Sequence, residues 1–118
     1  MIKRTFLTAA VAVAAFTATS GIAMARDYIS IAGSSTVLPF ATIIAEQLGK
    51  NPSIKTPVVE SGGSSVGKKG VCEGIGTEFI DIGNASSRMK AGELEYCESN
   101  GVKVTEIKVG YDGIVVAN

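Results

Sequence analysis

Apolar residues occur along this chain in short runs of strand length, separated by turn residues. Such runs lie at residues 28–32, 57–60, 79–83, 103–109 and 113–117. Short apolar runs bounded by Gly, Pro, Asn and Ser are typical of β-strands. The pattern therefore predicts five strands.

Three of the stretches between these runs have helical character. The first contains four apolar side chains at helical spacing, namely Phe40, Ile43, Ile44 and Leu48. Pro39 suits the first turn of that helix. A weaker, glycine-interrupted helix is predicted over residues 65–73. A third is predicted over residues 91–99, and Asn100-Gly101 should end it with a left-handed C-cap.

Strands that alternate with helices indicate right-handed βαβ units and a mainly parallel sheet. We therefore expect an α/β fold with flanking helices. In such sheets, ligands bind beyond the carboxyl ends of the strands. A buried parallel strand needs cover on both faces, which these elements scarcely supply, so we expect the 118 residues to be an incomplete part of a longer domain.

The first 25 residues have the features of a secretory signal peptide. Two basic residues precede an apolar stretch over residues 6–16, and Ala23-Met24-Ala25 has the small-x-small form of a cleavage site. The apolar stretch is shorter than the roughly 20 residues of a membrane-spanning helix. We predict export with a mature chain of residues 26–118; an uncleaved anchor helix is the alternative.

A small polar turn follows each of the first three predicted strands. These turns are residues 33–36, 62–65 and 84–88, and they are rich in Gly, Ser and Thr. At a helix start, free backbone N–H groups and hydroxyls can donate hydrogen bonds to an anion. Because parallel strands end at one edge of a sheet, the turns predict a single anion site. A flexible Gly/Ser loop without a ligand is the alternative for the second turn.

The second turn also fits part of a nucleotide-binding motif. Residues 62–68 match GxxxxGK, the phosphate loop of nucleotide hydrolases. The next position of that motif must offer a hydroxyl to Mg²⁺, and here it is Lys69. We therefore do not interpret the turn as a nucleotide site.

The charge balance argues against nucleic acid as a partner. The sequence has 11 basic and 11 acidic residues, and loss of Lys3 and Arg4 with the signal peptide leaves a net charge of about −2. An anion site must then depend on local hydrogen-bond donors rather than on the overall field. The sequence contains no histidine, which excludes His-based triads and the usual Cys/His zinc sites within it. We expect no metal site and no cofactor.

Cys72 and Cys97 are the two cysteines of the sequence. In an exported chain, an even pair favours a disulfide. The bond would close a loop of about 25 residues and contribute about 3 kcal/mol in the chain-entropy model. Two buried free thiols are the alternative.

Three motifs, taken in order, resemble the periplasmic phosphate-binding protein of ABC transporters. They are IAGSSTVLPF at residues 31–40, SGGSS at 61–65 and DIGNASSR at 81–88. The segment YDGIVV at residues 111–116 is similar to the strand that follows in that family. The resemblance covers essentially all of the mature chain.

The resemblance implies a lobe of the periplasmic-binding-protein (type II) fold, within a two-lobed, hinged protein. Residues 26–118 would form the N-terminal part of the first lobe. Such a protein is periplasmic, captures inorganic phosphate or a related oxyanion, and delivers it to an ABC transporter permease in the inner membrane. We expect a monomer that catalyses no reaction.

The resemblance also implies ligand residues in the first two turns. By position, Thr36 donates through its hydroxyl and the Val37 amide lies beside it. Ser64 donates from the second turn, and Ser35 belongs to the same set. Hydroxyl and N–H donors of this kind replace the water around a desolvated anion.

The third turn departs from one pattern of that family. Ser86 is also expected to face the oxyanion, at a position where some members have an aspartate. A carboxylate accepts the proton of phosphate and repels sulfate, so a serine there leaves the anion selectivity open. Arg88 either forms a bidentate pair with the oxyanion or lies in solvent.

Four other charged residues near the turns are expected to have structural roles. Asp81 should cap a neighbouring turn, and Asp112 should form the turn into the last strand. Lys68 and Lys69 are expected on the solvated face of the second helix.

Two other functions stay open at the level of the sequence. An exported phosphate-ester hydrolase would need a base in place of histidine, from Lys68, Lys69 or a residue beyond Asn118. An envelope protein could also reuse the fold without a ligand.

Overall fold

Three parallel strands form an open sheet in the structure, a computed structural model that describes residues 26–116. The strands are β1 (Ser30–Gly33), β2 (Val58–Ser61) and β3 (Ile82–Asn84). β1 is the central strand, and Ile31 pairs with Val59 on one side and with Ile82 on the other. This confirms the predicted α/β fold with a parallel sheet. The predicted signal peptide, residues 1–25, lies outside the described residues.

Three helices flank the sheet: α1 (Leu38–Gly49), α2 (Ser64–Gly70) and α3 (Ala91–Ser99). Pro39 lies in the first turn of α1, as predicted. Gly101 adopts a φ of +72° after α3, and the Val102 N–H donates to the Cys97 carbonyl at 2.9 Å. The predicted left-handed C-cap is therefore confirmed. No helix within residues 26–116 combines the length and the apolar character needed to cross a membrane.

The shortest helix, α2, lies directly against the backbone of the sheet. A Cβ atom placed on Gly67 would be 2.6 Å from the carbonyl oxygens of both Ala32 and Asn84. Such a distance is far inside van der Waals contact, so only glycine allows this approach. Gly67 lowers the helix propensity of this segment, and the same residue allows α2 to lie against β1 and β3.

The core is built around a disulfide between Cys72 and Cys97, both of which are fully buried. Val102 is buried with them, and three partly buried side chains pack on this cluster: Val71, Met89 and Val104. The predicted disulfide is confirmed, and the alternative of two free thiols is excluded. The bond joins the end of α2 to α3.

All three strands begin later than the apolar pattern predicts, and β2 does so by a single residue, at Val58 instead of residue 57. β1 begins at Ser30 instead of residue 28, and β3 begins at Ile82 instead of residue 79. The Phe79 N–H donates to the Gly76 carbonyl at 3.2 Å, so this apolar residue belongs to a turn. Pairing with β1 begins only at Asp81, whose N–H donates to the Ser30 carbonyl.

The prediction of strands at residues 103–109 and 113–117 was wrong for the described part of both segments. Residues 103–116 form no strand. A strand needs a partner for its backbone groups, whatever its side-chain propensity. Val104 packs on the core, but the apolar side chains from Ile107 onward are at least 76% exposed, with Val116 at 98%, so no neighbouring strand of the described chain covers them.

Candidate functional site

The first and second polar turns are joined through one carbonyl group. The Gly33 carbonyl, at the end of β1, accepts the N–H groups of Gly62 at 2.9 Å and Gly63 at 2.8 Å. Gly63 is the N-cap of α2 and has a φ of +88°, which favours glycine. The start of α2 is therefore fixed against the end of the central strand.

The first and third turns are joined by the next residue along the chain. The Ser34 N–H donates to the Asn84 carbonyl at 3.0 Å. Ser34 is buried, and its own carbonyl accepts the Leu38 N–H at 3.0 Å, which begins α1. The end of β1 thus holds the end of β3 and the start of α1 together.

The second and third turns meet through two serine side chains. The Ser86 N–H donates to the Ser64 Oγ at 3.0 Å, and the two hydroxyl oxygens lie 3.1 Å apart. Because the Ser64 oxygen already accepts from the backbone, its proton can serve the Ser86 oxygen, and the Ser86 proton is then free to serve a ligand. All three turns are therefore linked pairwise at the carboxyl edge of the sheet.

The other residues of the first turn lie at the surface of this edge. Ser35 and Thr36 are exposed, and Val37 is the N-cap residue of α1. Val37 and Ser86 line one open groove, which residues 102–110 also line. Exposed hydroxyls beside a helix start are accessible to a small anion.

Arg88 is placed apart from these hydroxyls. Its side chain is 89% exposed, and its Nε lies 3.5 Å from a carboxylate oxygen of Glu106. An exposed pair of this kind is weak, commonly worth about 0–1 kcal/mol, so it does not fix the guanidinium.

Asp81 lies at the opposite edge of the sheet from the three turns. Its carboxylate accepts the Ser30 N–H at 2.7 Å and pairs with the Arg26 guanidinium at 2.6 Å. The role is structural, as expected, but the carboxylate caps the start of β1 and not a turn. Asp81 is therefore not an acceptor within this candidate site.

The expectation that Lys68 lies on a solvated face was wrong. Lys68 is only 6% exposed. Its ammonium donates to the Ser87 Oγ at 3.1 Å, the Arg88 carbonyl at 2.8 Å and the Glu93 carboxylate at 3.2 Å. The helix approaches the sheet most closely at Gly67, so the adjacent Lys68 is enclosed, while Lys69 stays exposed, as predicted.

Glu93 is a residue of this region that the sequence analysis did not single out. The Lys90 N–H donates to its carboxylate at 2.7 Å, and this bond, with Lys68 beside it, lowers the pKa of Glu93 below its ordinary value. The partner of the buried lysine is therefore an ionised carboxylate near neutral pH. One signal was available: Lys68 and Glu93 each precede a disulfide cysteine by four residues, which puts them on facing sides of the two helical segments.

At the carboxyl edge of the sheet, hydroxyls and backbone amides are the groups that can donate hydrogen bonds to a ligand. Among residues 26–116, no group of three or more His, Cys, Asp or Glu side chains is placed to hold a metal ion. Donors of this type suit an oxyanion, each of whose oxygens accepts several hydrogen bonds.

Two similar proteins share about a third of their aligned residues with this chain. Protein SphX of Synechococcus elongatus is 34% identical over 91 residues, which cover 77% of this chain and 26% of the relative. Protein SphX of Synechocystis sp. is also 34% identical over 91 residues, which cover 76% of this chain and 26% of the relative. The chain thus spans about a quarter of the length of these relatives.

No solved structure is significantly similar to the chain. A family model described as a PBP superfamily domain matches residues 18–118, which include every element of the fold described above. The resemblance inferred from the three motifs is therefore confirmed at the level of the superfamily. On the strength of this match and of the two relatives, the chain belongs to the PBP superfamily.

Proposed function

We propose that this chain is part of an exported solute-binding protein that captures inorganic phosphate, or a related oxyanion, for an ABC importer. One observation carries the proposal most directly. Three hydroxyl-rich turns, separate in the sequence, are hydrogen-bonded to one another at the carboxyl edge of one parallel sheet. This is where open α/β sheets bind ligands. Membership of the PBP superfamily supports the same function.

The proposed ligand set spans the three turns. It consists of the Thr36 hydroxyl and the Val37 amide with Ser35 beside them, the hydroxyls of Ser64 and Ser86, and Arg88. Arg88 reaches the anion only if it leaves Glu106, and the weakness of that exposed pair allows the exchange. Ser86 brings no negative charge to repel sulfate, so we propose that these three turns bind an oxyanion without themselves discriminating phosphate from sulfate.

A binding function is favoured over the hydrolase alternative. A lysine base needs a neutral amine with a free lone pair. The Lys68 nitrogen instead donates to three acceptors, one of them an ionised carboxylate, and Lys69 is exposed. We therefore propose that the protein works in the periplasm as a monomer without catalysis, and hands its ligand to a permease in the inner membrane.

Titration calorimetry with inorganic phosphate tests the proposal. The material is the complete native product that contains this sequence, since the aligned residues make up only 26% of each relative. Thr36→Val and Ser64→Ala each remove one donor, and each should weaken phosphate binding by about 1–3 kcal/mol, the usual cost of leaving a buried acceptor unpaired. Thr42→Val is the matched control, because the Thr42 hydroxyl donates to the Leu38 carbonyl within α1 and faces no ligand.

Unchanged affinity in both variants would remove these turns from the binding site. Absence of any heat with phosphate, sulfate or molybdate, together with no rise in the melting temperature, would favour an envelope protein that reuses the fold without a ligand. Release of phosphate from a chromogenic ester by the pure protein would restore the hydrolase alternative.

A further inference from the structure

Lys68 has no hydrogen-bond donor left for a ligand. A lysine ammonium has three N–H donors. Its three acceptors here are the Ser87 Oγ, the Arg88 carbonyl and the Glu93 carboxylate, at 3.1, 2.8 and 3.2 Å. Although it is the buried cation closest in sequence to the second turn, it is not placed to bind an anion directly.

The three acceptors belong to two other parts of the fold. Ser87 and Arg88 form the end of the third turn, and Glu93 lies in the first turn of α3. Lys68 itself lies in α2, four residues after Ser64. One ammonium group therefore ties the helix that presents Ser64 to the turn that presents Ser86.

We infer that Lys68 is a positioning residue, which holds the third turn so that the Ser86 hydroxyl meets Ser64 and faces the oxyanion. The inference rests on the proposed function, because it assigns Lys68 a role in that same site. Within residues 26–116, Ser86 is itself held only through Ser64, by the bond from its N–H and by the contact between the two hydroxyl oxygens. The bonds from Lys68 to the two residues that follow fix the direction in which the turn leaves that contact.

Loss of the ammonium has a defined physical consequence. The Glu93 carboxylate would keep the Lys90 N–H but lose its cationic partner, and the Arg88 carbonyl would lose its donor. An unpaired acceptor in a partly buried place moves toward water. The third turn would then swing outward and take the Ser86 hydroxyl away from the anion.

Calorimetry with inorganic phosphate on the complete native product tests this role. Lys68→Met keeps the length and apolar stem of the side chain and removes the charge. We expect phosphate binding about 5- to 30-fold weaker, the range that corresponds to loss of one or two buried hydrogen bonds. Lys69→Met is the matched control, since it removes a neighbouring exposed lysine from the same helix and should leave the affinity within about twofold.

Ser87→Ala provides a milder test that does not leave a buried charge site empty. It removes one acceptor of Lys68 but leaves the ion pair with Glu93. We expect about threefold weaker binding with an unchanged melting temperature. If Lys68 acts through Ser86, the effect of Ser87→Ala should nearly vanish when Ser86→Ala is also present, since coupled sites are not additive.

The outcomes separate this inference from the proposed function. If Ser64→Ala weakens phosphate binding while Lys68→Met and Ser87→Ala both bind like the wild type, the positioning role is refuted and the proposed function stands. An undiminished effect of Ser87→Ala in the Ser86→Ala background also refutes it. If Lys68→Met does not fold, the phosphate affinity of Ser87→Ala, alone and with Ser86→Ala, decides whether Lys68 has the positioning role. If the wild-type protein binds no oxyanion, the proposed function and this inference fail together.

Discussion

At the scale of single residues, the close approach of α2 to the sheet depends on Gly67. Its α-carbon faces the carbonyl oxygens at the ends of β1 and β3, which leave no room for a side chain. The same approach encloses Lys68, the next residue along the helix. The absence of a side chain at Gly67 therefore allows the approach that buries Lys68.

Gly67→Ala should destabilise the fold by up to about 2 kcal/mol. Alanine raises helix propensity by about 1 kcal/mol, but the added Cβ would overpack against two backbone oxygens at a cost of about 1–3 kcal/mol, and backbone cannot move aside cheaply. Urea unfolding measures the difference. Gly92→Ala in α3 is the control, since a Cβ there meets nothing within 4 Å and should leave stability equal or slightly higher. A stabilised Gly67→Ala variant would contradict the packing described for α2.

The sequence predicts the positions of some site residues correctly and of others incorrectly. The rule that parallel strands end together predicts that the three turns share one edge of the sheet, and the side chains of Ser64 and Ser86, from two of these turns, are in contact. Lys68 was misplaced because a helix of seven residues has no sustained periodicity from which to identify its buried face. The sequence does not decide whether Arg88 binds the oxyanion or lies in solvent, because its contact with Glu106 is not evident from the spacing of the two residues.

At the scale of elements, α2 and α3 are joined by two cross-links of equal spacing. Lys68 and Glu93 form the ionic one, Cys72 and Cys97 form the covalent one, and the partners of each are 25 residues apart in the sequence. The ionic link lies beside the third polar turn, where Lys68 also contacts Ser87 and Arg88. The covalent link lies one helical turn further along, in the core.

Loss of the disulfide should lower the free energy of unfolding by about 2–4 kcal/mol, since the unfolded chain regains the freedom of a closed loop. Urea unfolding with and without a thiol reductant measures this. The double variant Cys72→Ser, Cys97→Ser is the control, because the reductant should have no effect on it. An oxidised protein whose unfolding midpoint is unaffected by the reductant would show that the bond contributes nothing.

Element types were easier to predict than their ends. α3 has the predicted bounds, because a left-handed glycine closes it. Strand ends follow from pairing partners, which lie elsewhere in the chain, so β1 and β3 begin later than their apolar runs. Residues 103–116 have the composition of strands but no partner within the described structure, and composition alone does not supply one.

At the scale of the whole molecule, the described chain has a small core and a large apolar surface. Phe40, Ile43 and Ile44, which form the apolar stripe predicted for α1, are each more than half exposed. In the helix only Ala45 is buried. An apolar stripe on a helix normally packs against another element, so this face of α1 is available for further contacts.

Residues 26–118, prepared alone, should therefore bind a dye whose fluorescence rises in apolar surroundings. The double variant Ile43→Lys, Ile44→Lys should reduce that fluorescence without loss of the sheet, since exposed positions contribute little to stability. Circular dichroism would verify that the variant retains its fold. Equal fluorescence from both proteins would place the dye elsewhere, and no fluorescence from either would show that the stripe is covered.

The equal spacing of the two cross-links also limits how the gene can vary in length. Residues 73–78 lie inside both closed loops, between the disulfide and the residues that lead into β3, so a codon gained or lost there lengthens or shortens each loop by the same amount. A codon inserted between Lys68 and Cys72 would instead put the cation and the sulfur out of step with their partners by about 100° around the helix. Insertions and deletions should therefore be tolerated in the segment that follows Cys72 and selected against between Lys68 and Cys72.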